Sequence, residues 1–193
     1  SPIVYNTAGT YNISLLVANS SGCTSTANTT VEAYAIPVVN AGIDTLICQG
    51  RGIRLNATGA DTYSWSPSAG LSCTNCPDPI ATPAALTTYH VNGTTIHGCS
   101  NHDSLVVAVK YPFAMTNSAR DTMCVGSSVT LTASGAFRYE WSPATGLNST
   151  TSPVIVASPS ETTTYRVIGT DDRNCFSDTA FIPVVVYGIP TVE

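Results

Sequence analysis

The residues most capable of chemistry in this sequence are its cysteines, and two of them stand three positions apart. Cys73 and Cys76 lie in the run YSWSPSAGLSCTNCPDP, residues 63–79. Such a pair can be a redox centre, half of a metal site, or a disulfide that closes a loop. A tetrahedral metal site needs two more ligands, and a thioredoxin-like motif needs a helix after its first cysteine. Pro77 and Pro79 exclude a regular helix there, so the spacing favours a disulfide within a long loop.

A second group of ligand-type side chains surrounds another cysteine. It consists of His97, Cys99, His102 and Asp103. A disulfide at Cys99 would remove its thiolate from the ligand set, and the three groups that remain make a poor metal site. The acidic run Asp171–Asn174 is typical of a hairpin turn and is short of oxygen ligands for calcium. We therefore predict no metal and no cofactor.

Neither catalysis nor nucleic-acid binding is supported by the sequence. It contains no Gly-x-Ser-x-Gly, no His-Glu-x-x-His and no phosphate-binding glycine loop. Only 10% of the 193 residues are charged, the net charge is −5, and Lys110 is the only lysine. Such a chain lacks the basic surface that nucleic acid or anionic lipid requires. No apolar run is long enough to span a bilayer. The sequence predicts a protein that is not an enzyme, binds no nucleic acid and does not insert directly into a membrane.

The elements that must position these residues repeat along the chain. The run CQGRGIRLNATGADTYSWSPSAGLSCTNCP matches CVGSSVTLTASGAFRYEWSPATGLNSTTSP. One constant offset in numbering relates Cys48 to Cys124, Trp65 to Trp141, Tyr89 to Tyr165 and Cys99 to Cys175. It places one repeat at 36–111 and a second at 112–187, and residues 188–193 begin a following segment. The offset also turns both cysteines of the first loop into serines, so the loop does not depend on them.

The first 35 residues match only the end of a repeat. GTYNISLLVANSSGC resembles TTYHVNGTTIHGC and TTYRVIGTDDRNC, each with a Thr-Tyr, an alternating strand, a turn and a cysteine. We predict that residues 1–35 are the C-terminal strands of a preceding repeat. Cys23 corresponds to Cys99 and Cys175, so its partner is predicted to lie upstream. This makes Cys23 the unpaired cysteine of the segment.

Hydrophobic residues alternate with polar residues at period two. Val129, Leu131 and Ala133, for example, alternate with threonines. Alternation of this kind turns one face of a strand inward and the other towards water. Turn sequences such as TGAD and SPATG separate the strands. The sequence predicts an all-β fold of tandem immunoglobulin-like antiparallel β-sandwich repeats.

The tryptophans have two interpretations. Trp65 and Trp141 could stack on sugars, but each lies mid-strand on the same face as a tyrosine two residues earlier. An immunoglobulin-type sandwich buries its central tryptophan there. Tyr89 and Tyr165 each follow a threonine and open a strand, as a tyrosine corner does. We predict that all four aromatics belong to the cores.

These motifs resemble a known family. C-x-G-x-x-(V/I)-x-L-x-A-(S/T)-G, Y-x-W-S-P-x-x-G-L, T-T-Y-x-V and G-C are similar to the Ig-like and PKD-like repeats of Bacteroidota surface proteins, including gliding-motility-associated adhesins of type IX secretion. The resemblance covers essentially the whole chain. It implies a non-catalytic, secreted segment of a surface adhesin, stalk or filament. The implied partners are neighbouring repeats of the same chain and surface glycans or other cell-surface proteins. The alternative is a carbohydrate-binding or spacer module of a secreted hydrolase.

Four Asp-Ser/Thr-aliphatic triplets fit an O-glycosylation pattern of proteins from that phylum. The modified residues would be Thr45, Ser104, Thr122 and Thr179. The other interpretation is that each aspartate closes a turn beside a hydroxyl neighbour. The sequence leaves both interpretations open.

The disulfide pairing has two interpretations beyond the Cys73–Cys76 bond. Cys48–Cys99 and Cys124–Cys175 are favoured because each complete repeat then carries its own pair. In an immunoglobulin-type topology, however, the turn after the first strand and the last hairpin lie at opposite ends. A bond between repeats, such as Cys48–Cys175, is therefore the alternative.

Overall fold

The computed structural model of the chain describes residues 3–190. The chain divides into two compact units, Ser1–Val109 and Lys110–Glu193. Residues 3–190 form strands and turns and contain no helix. Within that described range, accordingly, no helix long and apolar enough to cross a membrane is found.

The first unit contains a hairpin followed by a sandwich. The hairpin pairs β1 (Gly9–Ala18) with β2 (Thr24–Ala33). The sandwich strands are β3 (Thr45–Cys48), β4 (Ile53–Arg54), β5 (Thr62–Ser66), β6 (Ile80–Ala81), β7 (Thr87–Thr94) and β8 (Ser100–Lys110). One sheet has the order β3-β8-β7-β5 and the other pairs β4 with β6.

The second unit is a sandwich of the same kind. Its strands are β9 (Thr116–Asn117), β10 (Asp121–Cys124), β11 (Val129–Ser134), β12 (Arg138–Ser142), β13 (Val154–Ala157), β14 (Thr163–Thr170) and β15 (Ser177–Tyr187). The sheets have the orders β10-β15-β14-β12 and β13-β11-β9. β10 runs parallel to the end of β15, whereas β14 and β15 form an antiparallel hairpin. The predicted all-β, immunoglobulin-like sandwich is confirmed.

Each sandwich buries a core of its own because its strands alternate inward and outward residues. In β11, Leu131 and Ala133 are buried while the threonines between them are exposed. They join a cluster with residues of the opposite sheet, Trp141, Tyr165, Val167, Ile182 and Val184. The first sandwich has the corresponding cluster around Trp65, Tyr89 and Val91. Burial of these side chains is the main favourable contribution to folding.

The β1–β2 hairpin has no comparable core. Its strands pair over ten residues each, from Gly9 opposite Ala33 to Ala18 opposite Thr24. Even so, Leu15, Leu16 and Val17 remain more than half exposed. Two strands cannot enclose an apolar face on their own. The assignment of these strands to a preceding repeat stays a prediction.

Candidate functional site

The loop that carries the Cys-x-x-Cys pair is fixed by the central tryptophan. The backbone N–H of Trp65 donates to the carbonyl of Thr74 at 2.7 Å, and its indole Nε1 donates to the carbonyl of Cys76 at 3.0 Å. Cys73 and Cys76 are joined by a disulfide, with their Cα atoms 6.0 Å apart. The disulfide therefore closes a turn that is already tied to the core.

The second repeat holds the same loop without a disulfide. The backbone N–H of Trp141 donates to the carbonyl of Thr150 at 2.8 Å, and its Nε1 donates to the carbonyl of Ser152 at 2.9 Å. Ser149 and Ser152 occupy the positions of the two cysteines. The tryptophan bonds shape the loop in both repeats, and the disulfide is an addition in one of them.

Replacing Cys73 and Cys76 together by serine is expected to leave the first sandwich folded. We expect its free energy of unfolding to fall by no more than about 2 kcal/mol, because closing so short a loop removes little chain entropy. Urea unfolding measures the change. The reciprocal variant S149C/S152C is the matched control and is expected to form the same bond. Loss of the fold in C73S/C76S would contradict this role.

Three hairpins carry a cysteine in their turn, namely β1–β2, β7–β8 and β14–β15, and each contains the same kind of hydrogen bond. In each, the backbone N–H of the cysteine donates to a side-chain oxygen four residues earlier. The pairs are Cys23 with Asn19 Oδ1 at 2.9 Å, Cys99 with Thr95 Oγ1 at 3.2 Å, and Cys175 with Asp171 Oδ1 at 3.1 Å. Short polar side chains of these types cap turns in this way. The hairpin therefore keeps its cysteine in place although the capping residue changes.

Asp171 is the most constrained of the three capping residues. It is 5% exposed, and its carboxylate also accepts from the backbone N–H groups of Arg173 at 2.7 Å and Phe176 at 2.6 Å. Burial alone would raise the pKa of this carboxyl. The three backbone donors, together with the positive charge of Lys110, outweigh burial and hold its pKa below the ordinary value.

Replacing Asp171 by asparagine is expected to weaken the second sandwich in a pH-dependent way. Because the folded-state pKa is lowered, the carboxylate stabilises the fold above its unfolded value of 3.8, and this contribution is lost as the pH falls through the folded value. Melting temperatures of wild type and D171N should therefore differ near neutral pH and converge in acid. Glu161→Gln, in an exposed turn, is the control. Melting curves of D171N that stay parallel to wild type at every pH would contradict it.

The residues around Cys99 do not assemble into a metal site. The His97 ring stacks on Tyr34, with ring centroids 3.6 Å apart and an interplanar angle of 4°. Asp103 accepts from the backbone N–H of Ala41 at 2.8 Å, and this bond holds the pKa of Asp103 below its ordinary value. Within residues 3–190, no three His, Cys, Asp or Glu side chains are grouped to hold a metal ion.

The favoured disulfides Cys48–Cys99 and Cys124–Cys175 are not formed. Cys99 and Cys124 carry free thiols, as does Cys23. The reason, seen in the second sandwich, is the parallel pairing of β10 with the last strand, β15. Cys124 lies opposite Tyr187, the last residue of β15, whereas Cys175 precedes the first. The length of that strand, about 33 Å, separates positions that a disulfide requires within about 7 Å.

The four core aromatics are almost fully inaccessible to solvent. Trp65 and Trp141 are 3% and 2% exposed, and Tyr89 and Tyr165 are 0% exposed. The tyrosine hydroxyls donate to carbonyls 20 residues earlier, each at 2.8 Å. Burial raises the pKa of both phenols. None of the four presents a ring on which a sugar could stack.

Two exposed aromatics were not singled out from the sequence. Phe137 is 68% exposed and Phe181 is 65% exposed. A signal existed for the second, because Ile182 and Val184 are buried and period-two alternation turns Phe181 outward. Phe137 lies in the turn before β12, where no alternation predicts its direction.

The four predicted O-glycosylation residues all lie in or beside strands. Ser104, Thr122 and Thr179 are exposed and Thr45 is half-buried. The aspartates before Thr122 and Thr179 each accept a hydrogen bond from the next backbone N–H at 2.8 Å. These two aspartates thus have a structural role, while three of the four predicted residues are exposed.

Comparison with known proteins gives information about the fold only. No protein-family model matches the chain, and no curated protein matches it. Among solved structures, DIP-gamma IG1+IG2 is similar, with a TM-score of 0.50 and 13% identity over 79% of this chain and 98% of that one. The D00-D0 domain of Intimin aligns with a TM-score of 0.43 and 13% identity, over 79% of this chain and 100% of that one. The first of these similarities supports an immunoglobulin-like fold and nothing more specific.

Proposed function

We propose that this chain is a non-catalytic, extracellular structural segment of a bacterial surface adhesin, stalk or filament. The observation that carries the proposal is that the framework repeats while chemically active side chains do not. All three hairpins keep the bond that holds their cysteine. Cys48 and Cys99 recur as Cys124 and Cys175, whereas His97 is replaced by Arg173 and Cys73 by Ser149.

The strand order suits a segment that bears tension. In the second sandwich β10 pairs in parallel with β15, from Asp121 opposite Val184 to Cys124 opposite Tyr187. Where no disulfide bypasses these strands, force applied through the chain pulls β10 towards its start and β15 towards its end, along the strands. The hydrogen bonds between them are then loaded together in shear instead of one after another. Each hydrogen bond contributes only a modest free energy. The strand pair therefore resists unfolding under force because several hydrogen bonds must break at once.

The proposed location can be tested on intact cells of the source organism. Antibodies raised against this chain should label the outer surface in immunogold electron microscopy, and labelled material should extend from the cell. Mass analysis of the protein recovered from the surface should also show hexose-type additions at Thr45, Ser104, Thr122 or Thr179. Labelling confined to the cell interior would overturn the proposed location.

A carbohydrate-binding role is the second candidate, because Phe137 and Phe181 offer exposed rings. The protein should then sediment with insoluble polysaccharides, and F137A/F181A should lose that binding. A double variant of the exposed aliphatic residues Ile43 and Ile96 is the matched control. Sedimentation that is equal for all three proteins, or absent for all three, leaves the structural role as the better account.

A further inference from the structure

We infer that the cysteines of this fold pair between successive repeats. The cysteine that ends β3 or β10, here called the distal cysteine, would bond to the cysteine of the last hairpin in the next repeat, the proximal cysteine. Cys48 and Cys124 are distal, and Cys99 and Cys175 are proximal. The inference rests on the repeat architecture of the proposed function, and it does not depend on a location at the cell surface.

The distal cysteine lies where the chain leaves a repeat. Cys124 is opposite Tyr187, the last residue of β15. In the first repeat, Asp44 Oδ1 accepts from the backbone N–H of Val106 at 2.8 Å, which places the start of β3 beside the second half of β8. β3 and β8 are neighbours in one sheet, as β10 and β15 are, so the repeat correspondence places Cys48 near the end of β8.

The proximal cysteine lies where the chain arrives from the preceding element. The thiol of Cys99 is 3.9 Å from the carbonyl oxygen of Tyr34. Asn101 Nδ2 donates to the carbonyl of Pro37 at 3.0 Å, so the incoming chain passes directly beside the hairpin. Lys110, which corresponds to Tyr34 by the same offset, lies just before the second repeat and contacts Asp172 of the corresponding hairpin at 2.6 Å.

These positions coincide at one place. A distal cysteine is paired across strands with the last residue of its repeat, as Cys124 is with Tyr187. In the repeat whose last strand would be β2, the residue that corresponds to Tyr187 is Ala35. It precedes Tyr187 by twice the constant offset that separates matching residues of successive repeats. Neighbouring strands are about 4.8 Å apart. The distal cysteine of that repeat would therefore stand one strand away from the segment that the Cys99 thiol already touches, which is within disulfide reach.

The rule accounts for all the cysteines outside the Cys73–Cys76 loop. It pairs Cys48 of the first repeat with Cys175 of the second. It assigns Cys23, Cys99 and Cys124 to cysteines of other repeats, and these three carry the free thiols among the described residues. A series of such bonds would join every repeat to the next independently of the peptide chain.

The bond forms by ordinary thiol oxidation. The Cys48 and Cys175 thiols each lose a proton, and two electrons pass to a disulfide oxidant such as oxidised glutathione. The oxidant is reduced to two thiols, and one S–S bond forms in the protein.

Peptide mapping of the chain refolded with oxidised and reduced glutathione tests the pairing. A C23S background leaves one cysteine in the tryptic peptide 1–51. After free thiols are alkylated and the protein is digested without reductant, peptide 1–51 should be linked to peptide 174–193, and Cys99 and Cys124 should be alkylated. Three results would each overturn the inference. They are a link between peptides 1–51 and 55–110, a link between peptides 121–138 and 174–193, and alkylation of both Cys48 and Cys175.

A single-cysteine variant separates pairing from folding. In C48S, Cys175 should become open to alkylation while the Cys73–Cys76 bond persists as a sign that the first sandwich still folds. Peptide mapping reports only which cysteines are joined by disulfide bonds. A failure of surface labelling would therefore leave the pairing standing, and a failed map would leave the proposed location untouched.

Discussion

Stretching the chain from its two ends without reductant is expected to stop about 450 Å short of the extension reached with reductant. The proposed Cys48–Cys175 bond bypasses residues 49–174, which then bear no force, and an extended chain gains about 3.6 Å per residue. Single-molecule force spectroscopy at constant force measures the difference. The additional extension reached with reductant should appear when a single disulfide bond is cleaved.

Bonds within the repeats would give a different record. Cys48–Cys99 and Cys124–Cys175 would each release about 180 Å, in two separate cleavage events. The control variant C48S should reach nearly full extension without reductant. Two events in the wild type, or an extension that does not change with reductant, would contradict the bond between repeats.

Replacing Trp141 by alanine is expected to lower the free energy of unfolding of the second sandwich by about 3–5 kcal/mol. The side chain is 2% exposed, and its loss leaves a cavity in a cluster with Leu131 and Tyr165. The carbonyl of Ser152 also loses the hydrogen bond that it accepts from the indole N–H. Urea unfolding under reducing conditions, combined with hydrogen exchange, measures the loss and locates it.

Trp65→Ala is the matched variant in the first sandwich. Because the two cores are separate clusters, each substitution should reduce amide protection in its own repeat, residues 112–187 for Trp141 and residues 36–111 for Trp65. A tryptophan that served as a sugar platform could be removed with little loss of stability. Unchanged unfolding of both variants would therefore contradict the structural role of these rings.

The fold could be predicted because its information is local and repeated. Alternation at period two indicates strands with one buried face, as in β11, where Leu131 and Ala133 point inward. The constant offset between matching residues then shows that one pattern occurs twice. The comparison of Cys73 and Cys76 with two serines also indicated a loop that is shaped by something other than its cysteines.

The disulfide pairing could not be fixed in the same way. It depends on the parallel contact between β10 and the last strand, β15, which sets Cys124 beside Tyr187. That contact joins residues far apart in the sequence, and alternation says nothing about which end of a strand meets which. The capping carboxylate of Asp171 was missed for a related reason. An acidic run in a turn has the same sequence whether its oxygens face water or backbone N–H groups.

Cutting the chain once, at Lys110, tests most directly the claim that successive repeats are covalently joined. This is the only lysine, so a lysine-specific protease divides the chain into residues 1–110 and 111–193. The oxidised protein would be blocked with an alkylating agent, denatured in urea and digested. We predict that the two halves stay together at full mass without reductant and separate when it is added. Halves that separate without reductant would show that no bond joins the repeats.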